Sequence, residues 1–326
     1  MSDYGDLEQR LKVREVILLD GAVGTQLQTM GVPIGTEAWA AAALETHPST
    51  VRHLHECYIK AGVDIITVNT YASARQNLER IGLADKTREL NLRAVTLADD
   101  ARQRWAKERA VLIAGSVSNY GLRAGAEPGW TNWRDVRRWS ETTDAQAQAN
   151  LREQAEILAE GGVDFFVAES TGSTTQRRWV IEACVATGLP VWMGFRCRLV
   201  AGTAEPQVGY LSEEGISDHF QDVVSLGGSV VSVFHSTIEA VDAALPIVQK
   251  RWQGPIAVYP EADRPDYVQR HKDPNFVPRV TPDEFVQWAL ACMDRGVQIV
   301  GGCCGIELEH IRPLRAVLPK HLRDAA

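Results

Sequence analysis

The sequence predicts an α/β protein whose strands close into a (β/α)8 barrel, with residues 1–326 as a single domain. Three observations predict it. Eight short apolar runs rich in β-branched residues recur along the chain, helical patterns separate most of them, and a weak repeat joins helix ends to strand starts. The runs are Ile17–Ala22, Asp64–Tyr71, Ala110–Val117, Asp164–Ser170, Pro190–Cys197, Val230–His235, Ile256–Glu261 and Ile299–Gly305. Each is continuous rather than alternating, as strands buried on both faces of a parallel sheet must be. A doubly wound open sheet is the rival arrangement. Eight strand–helix units suit the closed TIM barrel better.

The helices follow the same logic. Thr50–Ala61 places Val51, Leu54, His55 and Tyr58 at helical spacing, and Ala145–Glu160 and Pro282–Arg295 behave similarly. Thr281, Pro282, Asp283 and Glu284 make a strong helix start: a cap, a proline in the first turn, and acids near the positive dipole end. The segments AGVDIITVNT, GGVDFFVAES and RGVQIVGGCC begin at Ala61, Gly161 and Arg295. In each, a glycine supplies the left-handed helix stop before a strand that ends in polar residues. No low-complexity linker divides the chain. The longest irregular stretches are Gly121–Arg134, Arg198–Gly215 and Glu261–Arg279.

Composition narrows the class of function. A net charge of −8 and the lack of a basic cluster argue against nucleic acid or an anionic membrane surface as a partner. No stretch approaches the roughly 18 apolar residues of a membrane span. Met1–Arg14 lacks the apolar centre of a signal peptide, so the expected location is cytoplasmic. The six cysteines are then reduced thiols rather than a disulfide framework. Cys57, Cys184, Cys197 and Cys292 are scattered singly, whereas Cys303 and Cys304 are adjacent and flanked by glycines.

Active sites of such barrels lie at the C-terminal ends of the strands. Those ends carry Asp20 and Gly21; Asn69, Thr70 and Tyr71; Ser116 and Ser118; Glu169 and Ser170; Arg196 and Cys197; His235; Tyr259 and Glu261; and Cys303 and Cys304. Polar groups thus converge on one face from runs that are otherwise apolar. The sharpest local signal is Gly301-Gly302-Cys303-Cys304-Gly305. Neighbouring strand residues point to opposite faces, so two adjacent thiolates reach one metal only where the strand unwinds, which glycine permits. Thiolates suit zinc, and a third ligand leaves one coordination position for substrate. The plainer reading of the pair is core filling, since free cysteine is often buried.

At this point the sequence resembles the zinc-dependent homocysteine S-methyltransferases. The resemblance opens with Leu18-Leu19-Asp20-Gly21-Ala22-Val23-Gly24-Thr25-Gln26-Leu27 and continues through Glu37-Ala38-Trp39, His47-Pro48, His55 and Ala61–Tyr71. It returns in Ala114-Gly115-Ser116-Val117, Glu169, Tyr259-Pro260 and Gly301–Gly305. It implies zinc bound by three thiolates, two of them matching Cys303 and Cys304. It also implies that Asp20 and Glu169 act in the reaction by holding the amino-acid part of a thiol substrate. Gly21, Asn69, Thr70, Ser116, Tyr259 and Glu261 complete the expected substrate-binding set. The expected reaction moves a methyl group to a thiol, homocysteine first among them, giving methionine.

The departures from the family pattern are local. Where the family ends its sixth strand in Gly-x-Asn-Cys, this chain has Ser232-Val233-Phe234-His235, so the expected metal set is His235, Cys303 and Cys304. The alternative is a satisfied strand-end histidine with zinc weakened or lost. The Gly-Pro after Gly-Ser-Val is Ser118-Asn119, the following Glu-Tyr segment is replaced by Ala126–Trp133, and Tyr-Pro-Asn is Tyr259-Pro260-Glu261. Glu261 favours a cationic substrate part and Arg196 a carboxylate, unless each is simply a rim residue. The chain has no room for a separate folate, cobalamin or adenosylmethionine domain. A compact onium donor such as S-methylmethionine or a betaine is expected, with Trp39, Trp130 and Trp133 as candidates to face its methyl groups. The partners are then a small thiol and a methyl donor, and the chain is a monomer or small homo-oligomer. The rival from another class is a repurposed barrel that lacks the zinc site and acts on another thiol, as a lyase or hydrolase, or as a ligand-binding protein.

Overall fold

A computed structural model describes residues 4–35, 37–122, 142–209, 213–218, 220–262 and 280–322. Eight parallel strands appear at the eight apolar runs: β1 (Ile17–Leu18), β2 (Ile65–Thr67), β3 (Leu112–Ser118), β4 (Phe165–Glu169), β5 (Val191–Phe195), β6 (Val230–Phe234), β7 (Ile256–Tyr259) and β8 (Ile299–Val300). They hydrogen-bond in the order β1-β8-β7-β6-β5-β4-β3-β2. Leu19 pairs in parallel with Ile65, and Asp64 N donates to Leu18 O at 2.8 Å, so β1 meets β2 and the barrel closes. The open-sheet alternative is thereby excluded.

The helices alternate with the strands. Pro48–Ala61, Thr87–Trp105, Asp144–Gly161, Thr174–Val185, Phe220–Val224, Ile238–Arg251, Pro282–Asp294 and Leu308–Val317 each follow one strand in turn. The repeated glycines take the predicted left-handed conformation, with φ of 94° at Gly62, 92° at Gly162 and 91° at Gly296. Thr281 and Glu284 form a reciprocal capping box at the start of Pro282–Asp294. Not every expectation of irregularity holds: within 198–215, Cys197–Arg198 and Gln207–Val208 form a short antiparallel ribbon. No helix among the described residues is long and apolar enough to cross a membrane.

The apolar runs overshoot the ladders at their C-terminal ends. β2 leaves the sheet after Thr67 although its run continues to Tyr71, and β8 leaves it after Val300 although its run continues to Gly305. Beyond those points the regular ladder gives way to single backbone bonds, such as Val68 N to Ala114 O at 3.0 Å and Gly301 N to Val258 O at 3.0 Å.

Two apolar cores result. One lies between sheet and helices; the other fills the barrel with Ile17, Leu19, Ile65, Leu112, Phe165, Val167, Trp192, Val230, Phe234 and Ile299. The N-terminal segment, too polar for a signal peptide, forms α1 (Tyr4–Lys12) and joins the interior core through Tyr4, Leu7 and Leu11. The Trp192 indole donates to the Tyr4 hydroxyl at 2.9 Å, and Gln298 donates to Leu11 O at 2.8 Å. Arg10 meets Asp64 at 2.7 Å. The helix therefore seals the N-terminal mouth and leaves the opposite mouth for chemistry. Leu7 is fully buried there. Leu7→Ala is expected to lower the unfolding free energy by about 2–5 kcal/mol, the range for deleting a buried leucine side chain. Urea unfolding of the metal-free protein measures it. A loss below about 1 kcal/mol would mean that α1 is only loosely docked.

Candidate metal centre and active site

The cysteine pair sits where β8 ends. Gly301 N still donates to Val258 O at 3.0 Å, Gly302 N crosses to Asp20 O at 3.0 Å, and Cys303 N returns to Pro260 O at 2.8 Å. A turn then closes from Ile306 N to Cys303 O at 2.9 Å, with Gly305 at φ 78°. That backbone conformation favours glycine. Gly302 is needed for a different reason: a Cβ there would stand 2.3 Å from Ile306 Cγ2. The turn breaks strand alternation, so both sulfurs face the barrel mouth.

His235 comes from the end of β6. One nitrogen or sulfur atom from each of His235, Cys303 and Cys304 lies within 4.8 Å of the others. His235 Nδ1 is 3.3 Å from Cys303 Sγ. Tetrahedral zinc with ordinary Zn–N and Zn–S bonds separates its ligand atoms by about 3.5–3.8 Å, so one ion fits this group with little adjustment. The electrostatics agree. The hydrogen bond with Cys304, then burial, then the negative charge of Cys304, Glu169 and Glu261 push the Cys303 thiol well above its ordinary value. A divalent cation is the natural counterweight to such crowding.

Two buried carboxyl groups also serve this mouth. Asp20, at the end of β1, accepts from Thr67 N at 2.7 Å and from Thr67 Oγ1 at 3.0 Å, which ties the β1–β2 seam. Burial raises its pKa to about 8 against the lowering effect of those bonds, and the Glu169 charge adds to the rise. Glu169 ends β4 and accepts from the Ser116 hydroxyl of β3. Burial raises it to about 7, although the hydroxyls of Ser116 and Tyr259 hold it down. Tyr259 also meets Ser232 at 3.3 Å. Two acids held in a dry cleft favour a cationic guest, because a positive group restores the charge that burial disfavours.

The remaining candidates divide. Asn69 donates to Ala40 O at 2.9 Å and Thr70 to Ser116 O at 2.7 Å, so both side chains bond within the scaffold around the mouth. Gly21 packs on the Ile306 carbonyl and the Tyr58 hydroxyl. Arg196 is buried and donates to His235 O at 3.2 Å and Gly209 O at 2.9 Å, so it is not a solvated rim residue. Glu261 is 2% exposed and lies 3.2 Å from His235 Nδ1, which also takes it off the rim. Trp39, at φ 43°, packs on the outer core and faces Gly24. Trp130 and Trp133 lie outside the described residues, as does Ala126–Trp133. Two participants were missed by the sequence reading. Thr67 grips Asp20, and Ser236 accepts from Cys197 N at 2.8 Å while its carbonyl takes Glu261 N at 2.9 Å. A hydroxyl inside an apolar strand run was the available signal for Thr67.

Comparison with known proteins identifies the family. Residues 17–318 match the homocysteine S-methyltransferase family. Homocysteine S-methyltransferase of Escherichia coli is 26% identical over 97% of this chain and 99% of its own length. Selenocysteine methyltransferase of Astragalus bisulcatus is 26% identical over 92% of each chain. Betaine–homocysteine S-methyltransferase 1 of Mus musculus is 25% identical over 94% of this chain and 73% of its own. The crystal structure of the metallated Escherichia coli homocysteine methyltransferase superposes with a TM-score of 0.70 at 24% identity, covering 95% of this chain and 99% of that one. With the family matched along nearly its whole length, the chain belongs to the homocysteine S-methyltransferase family.

Proposed function

We propose that the protein transfers a methyl group from a small onium donor to the sulfur of homocysteine, giving methionine, with zinc held by His235, Cys303 and Cys304. The observation that carries this reading is the convergence of those three side chains within 4.8 Å at the mouth that also holds Asp20 and Glu169. When bound, zinc supplies a substrate thiolate at neutral pH by lowering the thiol's pKa. Glu169, held by Ser116 and Tyr259, receives the substrate ammonium as a carboxylate. Asp20, which burial keeps protonated up to about pH 8, gains its charge on the β1 side only as a cation docks beside it, while Thr67 fixes its direction. The methyl carbon forms its new bond to the substrate sulfur as its bond to the onium centre breaks. The breaking pair stays with the donor, which leaves neutral. A sulfonium such as S-methylmethionine or a quaternary ammonium such as betaine meets that requirement.

The test is methionine formation by the purified protein from homocysteine and each of these donors, followed by mass spectrometry. Turnover is expected with one donor class, lost on treatment with a chelator and restored by zinc. No methionine from either donor after zinc reconstitution under reducing conditions would sink the proposal and favour the repurposed barrel.

A further inference from the structure

A hydroxyl lies inside the barrel where the family pattern has glycine. Ser232 stands at the first position of Gly-x-Asn-Cys and is fully buried on β6. Val230 and Phe234, two residues to either side, belong to the interior core, so Ser232 faces inward with them. A hydroxyl in such a place costs stability unless it is hydrogen-bonded. Two partners are in reach: the Tyr259 hydroxyl of β7 at 3.3 Å and the Met193 carbonyl of β5 at 3.4 Å. Tyr259 in turn hydrogen-bonds Glu169. Ser116 donates to the same carboxyl group from β3. Burial, then the Glu169 charge, push the Tyr259 phenol well above its ordinary value, so it remains a donor.

Resting on the assignment of Glu169 to the substrate ammonium, we propose that Ser232 is a positioning residue: it turns the Tyr259 hydroxyl toward Glu169 and so helps hold that side chain as a carboxylate. The count of protons sets the direction. A carboxylate only accepts, so the Tyr259 proton lies toward Glu169 and the Tyr259 oxygen takes the Ser232 proton. Each donation polarises the next O–H bond, which strengthens the bond at the charged end. With Glu169 protonated the row can reverse. Glu169 then gives to Tyr259, Tyr259 to Ser232, and Ser232 to the Met193 carbonyl, which serves as the terminal acceptor. A glycine at position 232 has no proton to give in either state. The other titratable groups that feel the Glu169 charge are Asp20 on β1 and Cys303 on β8, and the variants below change neither.

The test needs no turnover. The Glu169 carboxyl carbon, isotopically labelled and assigned by its loss in E169Q, is titrated by NMR in the wild type, S232A, Y259F and the S232A/Y259F double variant. The wild-type midpoint is expected at about 7. S232A should raise it by about 0.5–1 pH unit, the worth of one hydrogen bond in the row. Y259F should raise it at least as far, and the double variant no further than Y259F alone. An unchanged midpoint in S232A would overturn the proposal, as would an equal effect of S232A in the Y259F background, since Ser232 would then not act through Tyr259. Methyl transfer carries the same signature. In S232A, kcat/KM for homocysteine should fall by about threefold to tenfold on the acid side of the limb and return to the wild-type value above about pH 9. A loss equal at every pH would mark Ser232 as packing alone and overturn the proposal. Failure of the wild type to make methionine would count against the homocysteine reading and not against the hydroxyl row, which the titration decides. If S232A does not fold, S232G, which restores the family's glycine, takes its place.

Discussion

Cys304→Ser is expected to strip the metal and lower methyl transfer by about a thousandfold or more. A serine hydroxyl is a poor soft ligand and does not ionise near neutral pH, so the centre falls from three good donors to two. Bound metal contributes several kcal/mol of charge stabilisation to reactions of this kind, and about 4 kcal/mol corresponds to about a thousandfold in rate. Metal analysis by mass spectrometry should give about one zinc per chain in the wild type, as one catalytic site requires, and almost none in Cys304→Ser or His235→Ala. Cys57→Ser, on the outer helix Pro48–Ala61, is the control and should keep its zinc. Zinc retained by His235→Ala but lost by Cys304→Ser would remove the histidine from the ligand set. Zinc retained by both would place the metal elsewhere.

The fold was legible because its signals are local. A strand buried on both faces must be an apolar run, and all eight runs became barrel strands. The stops at Gly62, Gly162 and Gly296, and the cap at Thr281, each follow from one residue's conformational preference or one short hydrogen bond. The site was legible only as a collection of strand ends. Nothing local pairs Asp20 with Thr67 or His235 with Glu261, because those contacts exist only once neighbouring strands fix their register. Glu261 and Arg196 read as rim candidates for that reason. Charged side chains at strand ends are ordinarily solvated, and here each is buried against the other's surroundings. The role of α1 was hidden too. Tyr4, Leu7 and Leu11 are a thin apolar stripe in a charged segment, and only the open barrel end explains what covers them.

Glu169→Gln is expected to act in opposite directions on catalysis and on stability. Glutamine keeps the size of the side chain but cannot form the charge-assisted bond to a substrate ammonium, worth about 1.5–3 kcal/mol. kcat/KM for homocysteine should therefore fall by about tenfold to a hundredfold. In the wild type, burial holds the Glu169 proton up to about pH 7, so kcat/KM should rise with pH as that proton leaves. The variant should lack this limb. Any residual dependence belongs to Asp20, shifted below its value of about 8 because the Glu169 charge no longer opposes its ionisation. Stability follows the reverse sign. A carboxyl whose folded value is raised contributes stability that is present below the unfolded value of about 4 and is lost as pH rises through about 7. Metal-free Glu169→Gln should thus unfold at higher urea than the wild type at about pH 8, and the difference should shrink toward about pH 4. A variant that is less stable at every pH would show that Glu169 sits in the mouth as a structural bond between β3 and β4. One that gains stability in alkali while losing catalysis would show that the fold tolerates the buried acid because the reaction needs its charge.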